Sequence, residues 1–189
     1  MEAMRHMVEE ADASPEVARI YNDIKTTLKI DFVPNFFKAQ AHSLPMLRAT
    51  WELEKDVFIN GKHIDFDLKN MVFTAISAAR DCDYCTAAHM AFCVTMGVDK
   101  DLRKALITDL GKIKPPYVHD VVCFATKCAM RPHELTQKDF DKLAEHGLHQ
   151  DAFYEIVAMA SLATYANVVA DSLQIAVDEE FRKMLAGEG

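Results

Sequence analysis

Glycine and proline punctuate this 189-residue chain so regularly that they decide its architecture before any motif is read. The six glycines and six prolines fall nearly all at the ends of segments whose apolar residues recur at helical spacing. Gly61, Gly97, Gly111 and Gly147 each follow such a run and mark its end. Pro15, Pro34 and Pro45 stand where a first helical turn needs no N–H donor, and Pro115, Pro116 and Pro132 fall between segments. No stretch alternates apolar and polar residues as a strand would. The pattern predicts helices over about 15–28, 33–42, 44–59, 65–80, 82–96, 99–110, 117–130, 136–146 and 150–182. Ser14 and Thr136 are the expected N-caps of two of them. The expectation is an all-α, single-domain bundle over residues 1–189, its N-terminal helices, about 15–60, packing on the core.

Half of the residues are hydrophobic, which suits a packed core. A net charge of -8 without any basic run excludes nucleic acid as the default partner. The opening "MEAMRHMVEEADASPE" is too polar for a signal peptide. The longest near-apolar stretch, "IVAMASLATYANVVA" at 156–170, reads as a buried helix, being short of the roughly 20 residues that cross a bilayer. Five cysteines is an odd count for a disulfide scaffold, so a reducing, cytoplasmic setting is expected, with no membrane.

In such a setting the stretch "DCDYCTAAH", residues 81–89, carries the chemistry. At 100° per residue, Cys82, Cys85 and His89 fall within an arc of roughly 60° on one helix face. The Cα atoms of Cys82 and Cys85 would stand about 5 Å apart, inside the range of a disulfide. Asp81 is the expected N-cap, which puts both sulfurs in the first turn, where unpaired N–H groups favour a thiolate. Asp81 and Asp83 oppose that, and a proton-accepting His89 would restore it. Three readings stay open: a redox dithiol, two buried core thiols beside a satisfied histidine, or a zinc site. Zinc would need further ligands, such as His119, His133 or Cys123, brought from elsewhere in the chain. Haem attachment is excluded, because Thr86 follows the second cysteine where a histidine is required. Cys93, Cys123 and Cys128 read as structural. His6, His42, His63, His146 and His149, at helix ends or in loops, read as solvated surface.

The stretch "ISAARDCDYCTAAHMAFCVTMGV" resembles the signature of the alkylhydroperoxidase D-like branch of the carboxymuconolactone decarboxylase family. That signature is Cys-x-x-Cys-x-x-x-His with a glutamate twelve positions before the first cysteine. "FVPNFFKAQAHSLPMLRATWEL" and "FDKLAEHGLHQDAFYEIVAMASLATYANVVADSL" resemble the flanking helices of peroxidase-related members. The resemblance implies a helical fold assembling into trimers or hexamers. It also implies reduction of hydroperoxides by the dithiol without haem, metal or other cofactor, with an external dithiol of thioredoxin or lipoyl type as reductant. Carried over by position, Cys85 is the peroxide-attacking cysteine, Cys82 the resolving one, and His89 the proton-relay histidine. Asn70 stands where the signature has glutamate, and asparagine cannot accept a proton. A slow peroxidase is the consequence, unless Asp67, one turn earlier, substitutes. A second reading is a redox-sensing or scaffolding oligomer with little turnover.

Overall fold

A computed structural model of the chain describes residues 7–187, so His6 lies outside the described residues. Among these there are ten α-helices and no strand. They are α1 (Pro15–Leu28), α2 (Asn35–Gln40), α3 (Leu44–Leu53), α4 (Phe66–Ala79), α5 (Asp83–Thr95), α6 (Lys100–Thr108), α7 (Pro116–Met130), α8 (Gln137–Glu145), α9 (Gln150–Ser172) and α10 (Glu179–Ala186).

Local chemistry accounts for most of the boundaries. Ser14 accepts from the Val17 N–H at 3.4 Å, Pro15 opens α1, and Val17, Tyr21 and Ile24 bury one face of it. Thr136 and Asp139 form a reciprocal capping box at the start of α8. Gly147 ends α8 at φ +79°, a conformation that a side chain would strain. α4 is the centre of the molecule. Its residues Leu68 to Ser77 are buried without a break, because α5, α7 and α9 pack around it. A helix buried on all sides, its polar Lys69, Asn70, Thr74 and Ser77 included, is a core helix. The hydrophobic core runs continuously from Val17 in α1 to Phe181 in α10.

Three boundaries differ from expectation, each for a local reason. The helix predicted over 44–59 is α-helical only to Leu53 and continues as a π-helix over Glu54–Ile59. The helix predicted over 150–182 breaks after Ser172, where Gln174 takes φ +52°. Asp178 then spends its carboxylate on distant partners, accepting from the Asn35 N–H at 2.8 Å and the Tyr84 hydroxyl at 2.9 Å. Asp81 is not the N-cap of α5. It takes φ +57° in a tight turn that lets Cys82 N–H reach the Ser77 carbonyl at 3.0 Å, and Cys82 becomes the cap residue. The apolar stretch at 156–170 belongs to the 23-residue α9, which by length and composition alone could cross a membrane. Here it packs against α4 and α7 at the middle of the bundle.

Candidate active site

The turn at Asp81 sets α5 against α4 with Cys82 at its N-cap and Cys85 at its third position. Both cysteines are free and buried, 0% and 3% exposed, and their thiols hydrogen-bond to one another. Cys85 faces a cavity of about 50 Å³ that it shares with His89, Glu54, Tyr84 and an apolar wall including Phe58, Ala88 and Phe92. The structure brings Cys85 and His89 together in this cavity, and it sets Cys82, at the N-cap, against Cys85.

Their protonation differs from the sequence expectation. The helix N-terminus favours a thiolate, yet the Cys85 thiol is pushed well above its ordinary range. The hydrogen bond to Cys82 is the largest cause, burial the next, with the negative charge of Glu54 adding to them. The Asn167 side chain from α9 pulls the other way. The resting Cys85 thiol is therefore protonated. His89 is an unsuitable proton store, because burial lowers its pKa to about 3. Its ring stacks on Phe73 with centroids 3.8 Å apart and meets the edge of Phe58 at 5.4 Å.

Asn70 has a clear task in this arrangement. Its amide nitrogen donates to the Phe66 carbonyl at 2.9 Å, which leaves its oxygen to face His89 Nδ1 at 3.0 Å. An amide oxygen only accepts, so His89 carries its proton on Nδ1, and Nε2 is a bare acceptor. Asn70 fixes the tautomer. Asp67 is not brought to the site: it is exposed at the start of α4, where its carboxylate accepts from the Leu68 N–H at 2.8 Å. His119 and Cys123 lie together on α7 and line a different cavity, and His133 is exposed, so none of them joins the motif. Among the described residues no group of three or more His, Cys, Asp or Glu side chains is arranged to hold a metal ion.

Glu54 is the site residue that sequence reasoning missed. It is buried, among the described residues no hydrogen bond or ion pair reaches its carboxyl, and burial pushes its pKa up to about 7. It sits in the π-helical turn, a distortion that often marks functional positions. The signal was available: Leu47, Thr50, Trp51, Glu54 and Phe58 form one helical stripe, all buried, with a carboxylate in its middle.

The state of His89 is open to direct test. Its pKa is depressed from 6.5 to about 3 on folding, so its contribution to stability is present above 6.5 and lost as pH falls toward 3. Thermal unfolding of the wild type and of His89→Gln across that range should show the wild type losing stability faster on acidification. Imidazole nitrogen shifts should show His89 still neutral, protonated at Nδ1, where exposed histidines have titrated. Parallel stability curves, or a His89 that titrates near 6.5, would contradict the burial argument.

Residues 45–109, which hold the π-turn, α4, α5 and α6, match the carboxymuconolactone decarboxylase family model. No curated protein matches the chain. Among solved structures the fold is similar to that of an uncharacterized peroxidase-related protein with an alkylhydroperoxidase AhpD core from Ralstonia eutropha JMP134. The TM-score is 0.86 at 24% identity, over 94% of this chain and 93% of the other. An uncharacterized peroxidase-related protein from Silicibacter sp. TM1040 gives 0.79 at 22% identity, over 89% and 90%. The debrominase Bmp8, in a cysteine-to-alanine variant complexed with 2,3,4-tribromopyrrole, gives 0.78 at 20% identity, over 96% and 95%. The all-α fold is that of the alkylhydroperoxidase core. Over residues 45–109 the chain is similar to the carboxymuconolactone decarboxylase family, and its fold is similar to that of peroxidase-related proteins.

Proposed function

We propose that this protein is a cofactor-free thiol peroxidase that works through Cys85, Cys82, His89 and Glu54. The observation carrying the proposal is the shared cavity: Cys85, hydrogen-bonded to Cys82 behind it, faces an otherwise unpartnered carboxyl poised near neutrality and a histidine with a bare nitrogen. Glu54 takes the role the signature gives to a glutamate at the position of Asn70. In its ionised form it accepts the Cys85 proton, which leaves one negative charge shared between the two groups. The thiolate attacks the nearer peroxide oxygen and the O–O bond breaks. The departing alkoxide takes the proton from Glu54, and Cys85 is left as a sulfenic acid. His89 Nε2 accepts from the peroxide O–H and orients it. Cys82 then attacks the sulfenic sulfur, water leaves, and a Cys82–Cys85 disulfide forms, to be reduced by an external dithiol. The cavity exceeds the roughly 10–15 Å³ that one water needs, so a hydroperoxide group fits.

Peptide mapping after mild peroxide should find the Cys82–Cys85 disulfide while Cys93, Cys123 and Cys128 remain thiols. Cys85→Ser should abolish peroxide consumption. Cys82→Ser should allow a single turnover and leave a sulfenic acid that a dimedone-type probe traps. Oxidation elsewhere first, with the pair still reduced, would defeat the proposal. The near-complete burial of both thiols favours one rival, a sensor that oxidises but turns over little. A steady-state assay with thioredoxin-type and lipoyl-type dithiols separates the two: sustained turnover supports the peroxidase, and a single stoichiometric burst supports the sensor.

A further inference from the structure

Away from this site, α7 and α8 build a second thiol cluster. Cys123 and His119 are four residues apart on α7, so one helical turn stacks the thiol on the imidazole, with Sγ 3.5 Å from Nε2. The other ring nitrogen, Nδ1, is 2.9 Å from Asp120 Oδ1. The second Asp120 oxygen, Oδ2, is 2.8 Å from His146 Nε2 at the end of α8. Burial opposes ionisation of Asp120, but the hydrogen bonds from His146 and His119 outweigh it and hold the carboxyl below its usual range. A carboxylate acceptor fixes the His119 proton on Nδ1 and leaves Nε2 to receive the thiol proton. The order nucleophile, base, carboxylate is that of a thiol activated in place. Cys123, His119 and Asp120 line a cavity of about 90 Å³ that shares no residue with the Cys85 cavity. Lys142 and Lys127 stand at its wall, the latter paired with Asp139 at 2.8 Å. Burial, then Asp120, push the Cys123 thiol up, and Lys142 draws it down.

We propose that Cys123 is a second redox site, which exchanges with small carboxylate-bearing disulfides, glutathione disulfide being the type, and carries the mixed disulfide that results. His119 Nε2 removes the Cys123 proton, and the thiolate attacks one sulfur of the small disulfide. That S–S bond breaks as the new one forms, and the departing thiolate takes the proton back from the imidazolium. The small disulfide is itself the oxidant, so electrons and protons balance. A thiolate of high pKa is the stronger nucleophile once formed, so an in-place base matters more here than a low thiol pKa. The lysine side of the cavity selects anionic over neutral disulfides.

Cys128 is the internal control. It lies on the same helix, is also half-buried, and is raised by burial alone, while among the described residues no imidazole hydrogen-bonds to it. The experiment incubates the full chain with glutathione disulfide or with neutral hydroxyethyl disulfide and follows each cysteine by peptide mapping. Cys123 should acquire the glutathionyl group roughly 10-fold or more faster than Cys128, given the size of general-base assistance. His119→Asn should slow labelling of Cys123 by about the same factor and leave Cys128 unchanged, which also reports that the helix is intact. Lys142→Gln should slow glutathione disulfide but not the neutral disulfide. Asp120→Asn provides a second variant should His119→Asn disturb Cys128, and it should slow Cys123 in the same way. Equal labelling of Cys123 and Cys128, or a Cys123 rate indifferent to both His119 and Asp120, would overturn the proposal.

Discussion

Glu54→Gln should slow the oxidation of Cys85 by peroxide roughly 10²- to 10⁴-fold while making the protein more stable at neutral and alkaline pH. The two effects share one cause. Folding raises the Glu54 pKa from 4.5 to about 7 by burial, so its ionised form is costly in place. A raised carboxyl pKa gives stability that is fully present below 4.5 and lost as pH rises through about 7. At about 1.4 kcal/mol per pKa unit, the loss is on the order of 3 kcal/mol. Glutamine keeps the shape and cannot ionise, so it should recover a large part of this in the alkaline limb and little in acid. Stopped-flow oxidation of Cys85 and thermal unfolding against pH read the two halves separately. The wild-type oxidation rate should rise through about pH 7 as Glu54 ionises, and the variant should lack that step. A variant that oxidises as fast as the wild type would remove Glu54 from the mechanism. One that is slow but not more stable would show the carboxyl to be better solvated than its surroundings imply. Activity and stability moving in opposite directions is the signature of a buried charge retained for function.

The uneven legibility of this chain follows from which interactions are local. Helices were readable because glycine, proline and capping residues act within a few positions of where they stand, as Ser14 and the Thr136–Asp139 box show. Cys82, Cys85 and His89 were readable because one helix carries all three. The break after Ser172 was not, since Asp178 is engaged by Asn35 and Tyr84, residues more than ninety positions away. Asn70 looked like a defect when compared with a signature, yet its side chain sets the His89 tautomer across two helices. The signature points to position 70 and its own helix for a carboxylate, whereas the carboxyl that lines the cavity, Glu54, comes from the turn before it. His146 read as a surface histidine at a helix end, and only the docking of α8 on α7 shows that it holds Asp120. Tertiary placement, not composition, separates these cases.

The π-helical turn that carries Glu54 is bonded in turn to the Lys69–Glu155 pair, and breaking that pair should have the largest effect on stability of any change considered. Lys69 Nζ lies 3.0 Å from Glu155 Oε1, with side chains only 1% and 8% exposed. The same ammonium donates to the Gly61 carbonyl at 2.7 Å and, more weakly, to Val57 at 3.4 Å inside the π-helical turn. Glu155 accepts from the His63 N–H at 2.9 Å and from Ile64 at 3.4 Å. One ion pair thus clamps the Glu54–Ile59 turn and the loop after it onto α4 and α9. Lys69→Met leaves a buried carboxylate with no cation and two backbone carbonyls with no donor, a loss of about 3–5 kcal/mol. Lys69→Met with Glu155→Leu removes both charges and should recover part of that, because the uncompensated charge is the larger cost. Gly61→Ala tests the clamp without touching a charge. An added Cβ would stand 2.5 Å from Lys69 Nζ and 2.7 Å from the Glu155 carboxyl, so the pair must part or the loop must move. If the clamp also positions Glu54, Gly61→Ala should lower both the denaturation midpoint and the rate of Cys85 oxidation. In the double charge deletion, stability should return further than activity. Full activity in Gly61→Ala, alongside the lowered midpoint, would show that the π-turn holds Glu54 without help from the ion pair beneath it.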